Sequence, residues 1–257
     1  MNNQNLNFGT KSIQHVYGWK PDLPDHRDYL YEVKEGITLP KIVDLRSGCS
    51  PVEDQGQLGS CTANALVGAL EFLEVLEKLP FADLSRLFVY YDERAIEGTI
   101  SQDSGAQIRD GVKVLASQGV CPEAEWPYNV AKFKNKPTAQ CYADALKHKI
   151  AQYQRLNTLV DMQNCLASGF PFVFGFTVYS SFESSQVAQT GIVNLPAKHE
   201  QVLGGHAVMA VGYNETQQRF IVRNSWGIAW GQKGYFTIPF AYLENSNLSS
   251  DFWMITR

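Results

Sequence analysis

QGQLGSCTANALVGALEFLEVLEKL, residues 55–79, sets an amide, two glycines and a serine ahead of a thiol and then runs into a long apolar stretch. Beyond Cys61 the residues Leu66, Ala69, Leu70, Leu73 and Leu76 recur at helical spacing. Ser60 stands where a helix cap belongs, and Pro80 where the helix must stop. Cys61 therefore opens a helix, whose positive dipole end favours thiolate over thiol. A cysteine at a helix start is by itself usually a small buried hydrophobe, so its meaning depends on what the rest of the chain supplies.

Past about residue 150 the texture changes. FPFVFGFTVY (170–179), HAVMAVGY (206–213) and RFIVRNSW (219–226) are rich in β-branched and aromatic residues and read as strands. The first half is helical, with a second helix expected over 105–118 and Gly119 as its stop. This order points to an α+β chain with two lobes. The strands at 206–213 and 219–226 form a hairpin through NETQQ. A three- or five-residue loop keeps His206 and Asn224 on one face of the sheet, whereas a four-residue loop separates them. An Asn carbonyl beside an imidazole accepts one ring N–H, fixes the tautomer and turns the other nitrogen outward. The thiol at the helix start is the natural partner for that nitrogen.

Bulk properties narrow the field. The 257 residues carry a net charge of −4, 44% hydrophobic and 12% aromatic residues, which argues against a nucleic-acid or anionic-membrane partner. No apolar run is long enough for a membrane span, and the opening MNNQNLNFGTKSIQHVYGWKPD lacks a signal-peptide core. Residues 1–38 are polar and broken by prolines in GWKPDLPDHRDY (18–29), and read as an extended arm. With five cysteines at least one thiol stays unpaired. Cys165 reads as a buried thiol; Cys121 and Cys141 pair with each other, or one of them with Cys49, or not at all. Their spacing is not that of a metal site. His15, His26, His148 and His199 show no partner pattern and read as surface residues; Trp230 reads as core.

Taken together, these residues resemble the papain-like cysteine peptidases. QGQLGSC (55–61) is similar to that family's nucleophile segment, GGHAVMAVGY (204–213) to its histidine strand and NSWGIAWGQKGYF (224–236) to its asparagine motif. Weaker similarity extends over 39–240, including LPKIVDLRS (39–47), DSGAQIRDGVKVLASQGV and WPY (126–128). The resemblance implies a papain-like two-lobe fold, with a helical left lobe over about 50–150 and an antiparallel β-barrel-like right lobe over about 151–240. The active-site cleft lies between them, and 241–257 form a C-terminal tail.

The resemblance also implies a thiol protease. Cys61 attacks the scissile carbonyl, His206 forms an ion pair with it and protonates the leaving amine, and Asn224 orients His206. Gln55 and the Cys61 backbone N–H form the oxyanion hole. Gly105, Ser104, Gly205 and Trp226 line the substrate path. No cofactor is implied, and the partners are polypeptide substrates and protein inhibitors of the cleft, acting on a monomer in a secreted or acidic vacuolar setting. Leu58 stands where many members carry a disulfide cysteine, and Thr62 replaces an aromatic residue; both leave the rigidity of the nucleophile loop open. An endopeptidase is the first reading, with an exopeptidase or a non-catalytic peptide-binding member as alternatives. Residues 1–38 are either a surface leader or an arm that lies across the cleft and restrains activity until cut, making the chain a zymogen.

Overall fold

A computed structural model describes residues 15–33, 36 and 38–257. Along these the chain forms β1 (Ile42–Asp44), α1 (Cys61–Leu76), α2 (Arg86–Ile96), α3 (Ile108–Ser117), α4 (Ala139–Ala145) and β2 (Gln152–Leu156). There follow α5 (Leu159–Ala167), β3 (Phe172–Tyr179), α6 (Ser185–Thr190), β4 (Val202–Asn214), β5 (Arg219–Arg223), β6 (Tyr235–Pro239), α7 (Phe240–Glu244) and β7 (Ser249–Thr256).

Cys61 does open a helix, and α1 is buried on every side from Cys61 to Glu74. Its apolar pattern is not confined to one stripe because β4 packs against one face while α2 and α3 cover another. Two sequence expectations fail at its ends. Ser60 makes no side-chain cap; its hydroxyl is 2.5 Å from the Tyr128 hydroxyl and accepts from Asn64 Nδ2 at 3.1 Å. The helix stops at Leu76, before Pro80, where Lys78 turns into the left-handed region at φ +60° and the chain leaves the core.

The strands form one antiparallel sheet in the order β2-β7-β3-β4-β5-β6, with β1 also paired to β4. The stretch beyond 240, expected as a tail, supplies β7, which lies inside the sheet between β2 and β3. The hairpin of β4 and β5 corrects the loop reading. Asn214 pairs with Arg219 across a four-residue connection, which alone would put His206 and Asn224 on opposite faces. A register shift between Ala210 and Gly212 removes one residue from the count, so Ala210 faces Val222 and Met209 faces Arg223. This bulge restores the shared face.

One core lies between the helices and the sheet, with Leu66, Leu70, Phe88 and Val112 meeting Val173, Met209, Val211 and Trp253. A second fills the β-rich lobe, around Phe172, Phe174, Phe176, Phe220 and Phe236. Arg86 on α2 pairs with Glu71 on α1 at 2.6 Å, both buried, and Ser50 links Glu71 to Arg223 at the end of β5. All five cysteines remain thiols. Of the pairings left open by the sequence, Cys121 and Cys141 come together, with Glu125 completing a group whose ligand atoms lie within 4.8 Å of one another. Cys49 sits elsewhere, beside Leu45 and Tyr235.

Candidate active site

The segment 53–55 runs alongside 225–227. Gln55 N–H donates to Ser225 O at 2.9 Å, Gly227 N–H donates to Glu53 O at 2.9 Å, and Asp54 bridges Trp226. This pairing delivers Gln55 to the asparagine motif. Ser225 Oγ donates to Gln55 Oε1 at 2.6 Å, which turns the amide so that Nε2 faces away from it. Tyr128, from the WPY segment, donates to Gln55 O at 2.9 Å.

His206 on β4 and Asn224 just past β5 meet as their shared face requires. His206 Nε2 lies 2.8 Å from Asn224 Oδ1, so Nε2 carries the proton of a neutral ring. Nδ1 is buried and has no hydrogen-bond partner among the described residues. Trp226 stacks on the imidazole with centroids 5.0 Å apart, and Phe176 meets its edge at 5.8 Å. Cys61 lies against the backbone N–H of Ala207, the residue after His206, so α1 and β4 bring thiol and imidazole to one place.

Residues 15–20 run through that place. Trp19 N–H donates to Gly205 O at 2.9 Å, Ala106 N–H donates to Gly18 O at 2.7 Å, and Lys20 N–H donates to Ala106 O at 3.0 Å. Gln55 Nε2 donates to Val16 O at 3.1 Å as well as to Leu58 O at 3.0 Å. The Gly18 N–H faces Cys61. His15, expected on the surface, stacks on Trp226 with centroids 3.6 Å apart, and His148 likewise has a partner, Glu74 at 2.7 Å. The glycines of this passage permit backbone contact. A Cβ on Gly105, held at φ +67°, would stand 1.9 Å from Gly18 O, and one on Gly205 would stand 2.5 Å from Trp19 O. Gly105, Gly205 and Trp226 thus all touch the arm, whereas Ser104 bonds Thr99 and Gly105 O within its own wall. Residues 1–14 of the arm lie outside the described residues.

Burial under this segment changes the chemistry of the pair. Desolvation pushes the Cys61 thiol up to about 11, against the pull of the Ala207 and Gly18 amides. Desolvation likewise brings the His206 imidazole down to about 4, with the Asn224 bond opposing it. Both shifts act in the direction of a neutral thiol and a neutral ring beneath the arm.

Sequence reasoning missed what braces the loop before Cys61. Asp103 accepts the Gly59 N–H at 3.0 and 3.1 Å and the Tyr90 hydroxyl, and Tyr90 in turn receives the Gly105 N–H at 3.1 Å. These bonds tie the loop before Cys61 to the opposite wall, the rigidity that Leu58 had left open. Thr62 donates to the buried Glu93 at 2.8 Å, whose carboxyl burial raises well above the usual range. Asp103→Ala is expected to cost about 1–2 kcal/mol and lower Tm by about 5 °C. An unchanged melting curve would refute the brace.

The helix-borne thiol, the imidazole–carboxamide pair and the amide-lined cleft between a helical lobe and an antiparallel sheet define a thiol peptidase. The family model for papain family cysteine proteases matches residues 39–252. The chain belongs to that family and is a cysteine protease. It is 43% identical to an uncharacterized peptidase C1-like protein of Acanthamoeba polyphaga mimivirus, over 96% of this chain and 88% of that one. Xylellain, a cysteine protease from Xylella fastidiosa, superposes with a TM-score of 0.89 at 43% identity, covering 96% of this chain and 97% of that one. Procathepsin L 3 of the Tenebrio molitor larval midgut shares the fold at a TM-score of 0.72 and 19% identity.

Proposed function

We propose that the chain is a cysteine endopeptidase restrained by its own N-terminal arm, with Cys61 as nucleophile, His206 as acid–base, Asn224 as orienter of His206, and Gln55 with the Cys61 N–H as oxyanion hole. The observation that carries this reading is the path of residues 15–20. An extended chain passes between Gly105–Ala106 on one wall and Gly205 on the other, and continues to Tyr31, which donates to Asn164 at 2.9 Å. A cleft that a polypeptide can traverse suits internal cleavage; an exopeptidase needs one end closed.

The chemistry follows from the bonds. With Nε2–H held by Asn224, Nδ1 is the nitrogen free to take the thiol proton and later return it to the leaving amine. A substrate carbonyl drawn to Gln55 Nε2 and the Cys61 N–H places its developing negative charge on two donors. The arm satisfies parts of this machinery without offering a reaction. It gives Gln55 a carbonyl, that of Val16, and gives the sulfur an N–H, that of Gly18, where attack needs a carbonyl carbon. Docking further excludes water and neutralises the pair.

The test is the product map of an unfolded polypeptide digested by the purified chain, with and without displacement of the arm. Internal cuts throughout the substrate are expected, faster once the arm is displaced. Release of terminal residues or dipeptides alone would overturn the endopeptidase reading. An intact substrate under both conditions would overturn the peptidase reading.

A further inference from the structure

The arm marks where an extended chain lies in the cleft, and one of its side chains marks a pocket. Trp19 is only 8% exposed. Its indole lies over two glycines: a Cβ on Gly175 would stand 1.9 Å from the ring, and one on Gly205 would stand 2.7 Å from it. Missing side chains on both walls make room for a bicyclic ring. At the far end stands Asp251, 2% exposed and held in the left-handed region at φ +60°.

Both carboxylate oxygens of Asp251 are occupied, but by different kinds of partner. Oδ1 accepts from Arg155 Nη2 at 2.6 Å, a bond within the body of the protein. Oδ2 accepts from Trp19 Nε1 at 3.2 Å and from the Asp22 N–H at 2.8 Å, and both donors belong to the arm. Once the arm leaves, Oδ2 is a buried acceptor with no donor from the arm, and leaving it unmet carries a penalty. The charge around it shifts at the same time. Arg155 faces Asp28 at 3.1 Å and Asp22 at 3.5 Å, and Arg109 holds Asp28 at 2.6 Å. Withdrawing the arm removes both aspartates and leaves two guanidiniums beside a single carboxylate. A lysine or arginine head is repelled there, whereas a neutral N–H or O–H is not.

We propose that the pocket now filled by Trp19 selects the substrate, with Asp251 as its specificity-determining residue, and that it takes a neutral aromatic side chain bearing a hydrogen-bond donor, tryptophan foremost. The assignment deepens the peptidase reading and rests on it. Leucine and phenylalanine fill the space but leave Oδ2 without a partner, and the basic residues meet Arg155 and Arg109.

The experiment uses the full chain carrying Gly18→Val, a change that forces the arm from the cleft. Peptides varied one position at a time are expected to reveal one position at which tryptophan is cleaved about tenfold faster than phenylalanine, with lysine and arginine below both. Adding Asp251→Asn, an exchange tolerated at positive φ, should bring the tryptophan-to-phenylalanine ratio close to one. In parallel, the synthetic peptide HVYGWKPDL, residues 15–23, is titrated by calorimetry against the same chain and compared with its phenylalanine-for-tryptophan analogue. Weaker binding of the analogue, with the difference abolished by Asp251→Asn, supports the assignment. Equal rates and affinities for the two aromatic residues, or a preference for arginine or lysine, overturn it. A chain that binds the tryptophan peptide selectively yet cuts nothing keeps the pocket and sinks the peptidase reading; one that cuts without selecting does the reverse.

Discussion

Gly18→Val in the full chain is expected to raise peptide turnover about a hundredfold. A Cβ at residue 18 would stand 1.8 Å from Gly59 O and 2.4 Å from Gly59 C, both backbone atoms that cannot swing aside. Overpacking of this kind costs about 3 kcal/mol, which converts to roughly a hundredfold shift from docked to undocked arm. Trp19→Ala, which empties the pocket without touching the nucleophile loop, should act in the same direction. The pH dependence of thiol alkylation gives a second readout. Under the arm the thiol stands near 11 and the imidazole near 4, so Cys61 in the unaltered chain stays protonated, and alkylation accelerates only toward alkaline pH. With the arm displaced, water returns, the ring holds its proton to higher pH and the sulfur loses its proton at lower pH. Alkylation at pH 5, located by peptide mapping, then becomes fast at Cys61. If both variants turn over substrate at the unaltered rate and alkylate with the same profile, the arm is no restraint.

Cys61→Ala in the Gly18→Val chain is expected to lower turnover by a factor on the order of 10⁵ while leaving the affinity for peptide 15–23 nearly intact. Loss of a nucleophile removes the covalent route itself, and enzymes that depend on such a group lose most of their rate enhancement with it. The remaining cysteines offer no substitute. Cys121, Cys141 and Cys165 are buried, and burial raises the Cys49 thiol above its ordinary value. Initial rates on a fluorogenic peptide and calorimetry with peptide 15–23 separate chemistry from binding. Residual turnover within about tenfold of the parent would remove Cys61 from its proposed role.

Much of the site was legible because short-range patterns carry it. A thiol at the first turn of an apolar-periodic segment, and β-branched runs ending in His206 and Asn224, follow from local spacing and side-chain alternation. The hairpin itself shows the limit of that reasoning. The four-residue connection found in the structure would by itself separate His206 from Asn224, and only the bulge next to Val211 rejoins them; a bulge depends on twist and packing across several strands, which no local count contains. The tail beyond 240 was unreadable for a related reason, since β7 inserts between β2 and β3 by long-range pairing. Asp103, Ser225 and Tyr128 lie in stretches that the sequence singled out, but their bonds went unread because their partners, Gly59 and Gln55, lie far away in the chain.

The arm divides the two kinds of information most sharply. Its composition marked residues 1–38 as an extended arm rather than a packed unit; residues 15–20 do run extended, but they are packed, with Trp19 buried in the core. Its place was decided by partners from both lobes. Gly105, Gly205 and Gly175 withhold side chains where Gly18 and Trp19 lie, while Arg109, Arg155 and Asp251 hold the residues that follow. Sequence alone thus marked the candidate reactive groups and the extended course of the arm. Whether the thiol and the imidazole are favoured as ions or as neutral groups depends on the fold, because the stability of a charge depends on the water and dipoles that tertiary packing leaves around it.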